Sequence, residues 1–126
     1  MYDLKILLCD DSMLIRKKLK GALSELGFTN LFEAIDGEEA VTLCRTEQPD
    51  LVLLDIVMPK KDGIEALQEI KIIDPTIHVV MASSVGTQSN LIKALKLGAD
   101  NFLQKPIQVE VIVDIAKKIV KDRGVQ

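Results

Sequence analysis

Apolar residues along this chain fall into two alternating patterns. Residues 4–9 (LKILLC), 30–35 (NLFEAI), 51–55 (LVLLD), 77–83 (IHVVMAS) and 101–104 (NFLQ) are short, nearly continuous apolar runs of strand length. Between them lie stretches whose apolar residues recur three and four apart, at 12–26, 38–47, 64–73, 88–97 and 109–122. The first shows the pattern in Leu14, Ile15, Leu19, Ala22, Leu23 and Leu26. Stop signals close the helical stretches: Gly27, Pro49, Asp74-Pro75 and Gly98. Five strands alternating with five helices predict a parallel sheet covered on both faces, a single doubly wound (βα)5 α/β domain.

Composition narrows the class further. The chain has 126 residues, 48% of them hydrophobic and 28% charged, which suits a globular domain with a real core. Sixteen basic and nineteen acidic residues are interspersed and leave a net charge of −3. That balance favours neither nucleic acid nor an anionic membrane. No run approaches the length of a membrane span, and the acidic N-terminus MYDLKILLCDDS lacks the form of a signal peptide. Cys9 and Cys44 have no metal-ligand spacing and read as small core residues, so a cytoplasmic location is expected. The single histidine, His78, lies inside the fourth strand and reads as a packing or edge residue.

In an open α/β sheet, ligands bind outside the carboxyl ends of the strands. Here the first strand ends in Asp10-Asp11, the third in Asp55, the fourth in Ser83-Ser84 and the fifth in Lys105, while the second ends without an obvious candidate. Each has an ordinary role open to it: Asp10, Asp11 and Ser12 can cap the first helix, and Lys105 alone reads as a surface lysine. Their joint placement on one edge is the functional signal. Two carboxylates about 4 Å apart repel by roughly 4 kcal/mol at an effective dielectric near 20. Lys105 can offset one charge, and a hard divalent cation such as Mg²⁺, which suits oxygen ligands, can offset the rest. A carboxylate beside such a cation is a place to receive a phosphoryl group. No glycine-rich phosphate loop follows the first strand, and no Trp is present for a flavin site.

The motif set resembles the receiver domain of two-component response regulators over nearly the whole chain. The resemblance rests on the acidic pair in LLCDDS, the aspartate in LVLLDIVMPKKDG, the hydroxyl in VMASS and the aromatic and Lys-Pro in NFLQKP. It implies a flavodoxin-like strand order 2-1-3-4-5 and one receiver domain over residues 1–126 with no output domain. It implies Asp55 as phosphoacceptor, with Mg²⁺ held by Asp10, Asp11, Asp55 and the backbone carbonyl of Val57. Lys105 would pair with the phosphoryl oxygens, Ser83 would move in to bond them, and Phe102 would be the switch aromatic. A cis bond is expected between Lys105 and Pro106.

The resemblance further implies a histidine kinase as donor and a phosphorylation-dependent protein partner. A chemotaxis-type role, with the flagellar motor switch as partner, is suggested by ASSVGTQSNLIKALKLGADNFLQKPI. The expected output face is the fourth helix, the fifth strand and the fifth helix, including Lys93, Lys96, Asn101 and Gln104. The chain is expected to act as a monomer and as a phosphoacceptor that promotes its own phosphorylation and dephosphorylation, rather than as an enzyme on another substrate. A phosphorelay intermediate, a phosphate sink or a receiver cut from a larger regulator would use the same site. An aspartyl-phosphate hydrolase of the haloacid-dehalogenase kind is disfavoured, because Val57 stands where a second acid would follow Asp55. Val57 and Val85 flank the site where relatives carry polar side chains, which predicts slow loss of phosphate.

Overall fold

The computed structural model describes residues 3–84 and 88–123. Among these residues the elements alternate in chain order. They are β1 (Ile6–Cys9), α1 (Met13–Glu25), β2 (Leu31–Ala34), α2 (Gly37–Glu47), β3 (Leu51–Asp55), α3 (Gly63–Ile73), β4 (His78–Ser83), α4 (Gln88–Lys96), β5 (Asn101–Gln104) and α5 (Val109–Asp122). All strand pairs are parallel and the sheet order is β2-β1-β3-β4-β5, as the sequence resemblance implied. The Lys105-Pro106 peptide bond is cis.

Side chains alternate across a strand, so each strand supplies two cores. Leu7, Cys9, Val52, Leu54, Val79 and Met81 pack with residues of α2, α3 and α4, including Cys44, Leu67 and Ile70. Ile6, Leu8, Leu51, Leu53, Val80 and Ala82 face α1 and α5, against Leu19, Leu23, Ile112 and Ile119. The apolar runs of the sequence are therefore continuous because both faces of the sheet are covered. Cys9 and Cys44 are buried free thiols, and burial pushes the Cys44 thiol up to about 12. Neither is poised to react.

The turns at the carboxyl edge of the sheet are tied locally. Ser12 caps α1 by accepting the Ile15 N–H, Asp36 caps α2 by accepting the Glu39 N–H, and Asp62 caps α3 by accepting the Glu65 N–H. At Gly63 a Cβ would lie 2.2 Å from the Asp55 carbonyl oxygen, so only glycine lets α3 start this close to the end of β3. The Gly63 N–H donates to the Ile56 carbonyl at 2.8 Å, which closes the loop that follows Asp55.

β2 is shorter than the residue 30–35 stretch suggested. Ile35 is exposed and its N–H turns to the Glu39 carboxylate at 3.1 Å instead of a neighbouring strand. The residue is already part of the helix entry.

Candidate acidic site at the carboxyl edge of the sheet

Strand register brings the predicted residues together. Cys9 pairs with Leu54, so the next residues, Asp10 and Asp55, stand side by side at the break between β1 and β3. Asp55 pairs with Ala82, and Ser83 pairs with Gln104. Lys105 follows, with its N–H on the Ser83 carbonyl at 2.8 Å. Asp10 and Asp55 are each 5% exposed and Ser83 is 1% exposed, whereas Asp11 faces solvent.

Carboxylate oxygens of Asp10, Asp11 and Asp55 all lie within 4.8 Å of one another, a grouping that could hold a metal ion. Lys105 Nζ donates to Asp10 Oδ2 at 2.9 Å and to Asp55 Oδ2 at 3.0 Å. One ammonium thus serves two buried acids. Burial raises the Asp55 carboxyl above its ordinary range; Lys105 pulls it down, but Asp10 and Asp11 add to the rise. For Lys105, burial works against the charged form, yet the hydrogen bonds to Asp10 and Asp55 outweigh it and hold the ammonium above its usual value.

Three acids against one lysine leave the cluster short of positive charge. An oxygen-only donor set with that deficit fits a hard divalent cation of the Mg²⁺ type. Val57, on the loop two residues after Asp55, is 64% exposed. Phe102 is half-buried and packs against the core on the α2, α3 and α4 side. Lys93, Lys96, Asn101 and Gln104 are all exposed, on α4 and β5. Val85 lies outside the described residues.

Two residues of this region escaped the sequence reading. β2 was expected to end without a candidate, but Asp36, two residues beyond it, is 5% exposed. Lys60 Nζ stands 3.8 Å from its Oδ2, reaching in from the loop after β3. The signal was present: Asp36 and Glu39 have the spacing of a capping box. The other is Arg16, 8% exposed, which donates to the Asp10 carbonyl at 2.6 Å. It opens the run RKKLK and has no sequence mark that separates it from its solvated neighbours.

The family model described as the response regulator receiver domain matches residues 6–117. The chemotaxis protein CheY of Listeria monocytogenes is 39% identical over 118 residues, 94% of this chain and 99% of that protein. A solved N-terminal domain of an uncharacterized Wolinella succinogenes protein superposes with a TM-score of 0.89 at 32% identity, covering 95% of this chain and 96% of that one. CheY in the CheX-CheY-BeF3-Mg complex of Borrelia burgdorferi gives a TM-score of 0.83 at 33% identity, covering 98% and 90%.

Proposed function

The chain belongs to the response-regulator receiver family, and we propose that Asp55 is its phosphoryl acceptor in a Mg²⁺-dependent switch that controls binding to a partner protein. The observation that carries this reading is the shared lysine: Lys105 joins Asp10 and Asp55 inside a cluster of three acids. Such a charge deficit is costly in a purely structural site. It is useful where a cation and a phosphoryl group are to be received.

In the proposed reaction an Asp55 oxygen attacks the phosphorus of a phosphohistidine on a histidine kinase. The P–O bond forms as the P–N bond breaks, and the imidazole leaves with the electron pair. Mg²⁺ held by Asp10, Asp11, Asp55 and the Val57 carbonyl would supply the positive charge that offsets the phosphoryl oxygens. Lys105, which donates to the Asp55 carboxylate, would turn an N–H to a phosphoryl oxygen. The Ser83 hydroxyl follows Ala82, the register partner of Asp55, and would hydrogen-bond the same oxygens.

A phosphoryl group brings about −1.5 to −2 charge. A charge-assisted hydrogen bond from Ser83 contributes roughly 1.5–3 kcal/mol, against about 5.5 kcal/mol needed to invert a 1:99 equilibrium. A partner that prefers the phosphorylated form would supply the remainder.

The output face in this reading is α4, β5 and α5, with Lys93, Lys96, Asn101 and Gln104 exposed on the first two together with Ile92 and Leu95. The Listeria relative is named a chemotaxis protein and the Borrelia relative was solved with CheX, which supports a cytoplasmic chemotaxis role. The flagellar motor switch is the candidate partner. Val57 offers no polar side chain to incoming water, so phospho-Asp55 should persist well beyond seconds.

Intact mass after incubation with Mg²⁺ and acetyl phosphate tests the acceptor. One added phosphoryl group, lost without Mg²⁺ and lost in Asp55→Asn, is expected. An adduct that persists in Asp55→Asn would move the acceptor elsewhere.

A further inference from the structure

Asp10 has its polar groups tied from three elements. Its N–H donates to the Ala34 carbonyl of β2 at 3.2 Å. Its Oδ1 accepts the Ser12 N–H at 2.9 Å and its Oδ2 accepts Lys105 at 2.9 Å. β1 ends at Cys9, and the Asp10 carbonyl, one residue further, accepts from Arg16 Nη1 at 2.6 Å.

Arg16 is itself held. Its backbone N–H donates to Ser12 O at 3.1 Å, and its Nε donates to Glu33 Oε1 at 3.1 Å. The other Glu33 oxygen accepts Lys20 Nζ at 3.2 Å. Glu33 lies on β2, an edge strand of the sheet, so a single guanidinium ties that strand to the turn carrying the acidic pair.

Burying a guanidinium is expensive, and a neutral donor would satisfy one carbonyl as well. The planar fork adds two donors at a fixed angle, which suits a carbonyl and a carboxylate on different elements. Glu33, shared with Lys20, also offsets part of the charge of Arg16 and so weakens its repulsion of a cation bound by the neighbouring acids.

We propose that Arg16, oriented by Glu33, is a positioning residue that presets the Asp10-Asp11 turn for its cation. The inference rests on the receiver reading, in which Asp10 and Asp11 hold Mg²⁺. Groups that orient metal ligands from behind typically change affinity ten- to a hundredfold when altered. Lysine at position 16 keeps the charge and loses the fork. Glutamine at position 33 loosens the fork and unmasks the charge.

Calorimetric titration of the full chain with MgCl₂ tests this, alongside urea unfolding in Mg²⁺-free buffer. Arg16→Lys is expected to raise the Mg²⁺ Kd about tenfold, and Glu33→Gln by a smaller factor, about threefold. Glu33 is on an edge strand with a third of its side chain exposed, so that variant remains informative if Arg16→Lys fails to fold. A role confined to stability would lower the urea midpoint and leave Kd unchanged, and that result in either folded variant overturns the inference alone. A parent chain that binds no Mg²⁺, or Asp11→Asn that binds as the parent does, overturns the reading of the acidic pair and this inference with it.

Discussion

The two edges of the sheet treat their charges differently. At the amino edge Asp50 accepts the Lys5 N–H at 2.8 Å and pairs with Arg123 at 2.8 Å. Asp100 accepts the Val79 N–H at 2.8 Å and pairs with Lys71 at 3.3 Å, while His78 Nδ1 stands 3.7 Å from its other oxygen. Each of these acids has a cation of its own and a backbone donor. At the carboxyl edge Asp10, Asp11 and Asp55 gather around one lysine, and the two buried ones share it. Paired charge at one edge holds strand ends in register. At the other, three acids around one lysine are costly to bury, which fits the proposed reception of a cation and a phosphoryl group.

The largest effect that would break this contrast comes from Lys105. In Mg²⁺-free buffer Lys105→Ala leaves two buried carboxylates without their cation, and chemical denaturation should show a loss of about 3 kcal/mol. Mg²⁺ should then raise the melting temperature of the variant more than that of the parent. Asp50→Ala removes a partner of Lys5 and Arg123 and should cost about 2 kcal/mol, equally with and without Mg²⁺. An equal Mg²⁺ response in the two variants would erase the distinction between the edges.

Asp55→Asn should go the other way. It keeps an acceptor for Lys105 and removes one of the repelling charges, so Mg²⁺-free stability at neutral pH should rise by about 1 kcal/mol. The pH dependence has opposite signs at the two edges. The Asp55 carboxyl is raised, chiefly by burial, so the folded state keeps its proton longer than the unfolded chain. Stability without Mg²⁺ should therefore fall as pH rises from about 4, the unfolded value, through the raised folded value, and Asp55→Asn should flatten that slope. Near the amino edge, hydrogen bonds from the Thr76 hydroxyl and N–H hold the Asp74 carboxyl below its ordinary value. Its contribution is present above the unfolded value and is lost as pH falls through the lowered folded one. Comparing pH-dependent melts of Asp74→Ala with the parent should show this smallest effect.

Much of this was legible in the sequence because burial on both faces makes strands read as apolar runs. β5 and α5 have the bounds expected, and Gly27 and Gly98 close α1 and α4 with φ of 96° and 100°. The strand-end acids, the hydroxyl and the lysine were also visible, since a topology of this kind fixes which residues share an edge. What stayed hidden depended on contacts between distant elements. Arg16 looks like its neighbours Lys17 and Lys18, and only the approach of β2 and the end of β1 to α1 makes it a buried strut. Asp36 was obscured for another reason. It stands directly after the residue 30–35 run, but its spacing to Glu39 reads as a helix cap, and that ordinary role hides its place among the strand-end acids.

In the proposed function the carboxyl edge is an unbalanced receiving site whose occupation is felt on α4 and β5. Amide NMR spectra of the labelled chain with Mg²⁺, with and without beryllofluoride as the phosphoryl mimic, test it most directly. Shifts are expected at Asp10, Asp11 and Asp55, with a second set at Lys93, Lys96 and Asn101 to Gln104, while Asp50 stays in place. Spectra unchanged by the mimic, or shifts spread equally over both edges of the sheet, would contradict it.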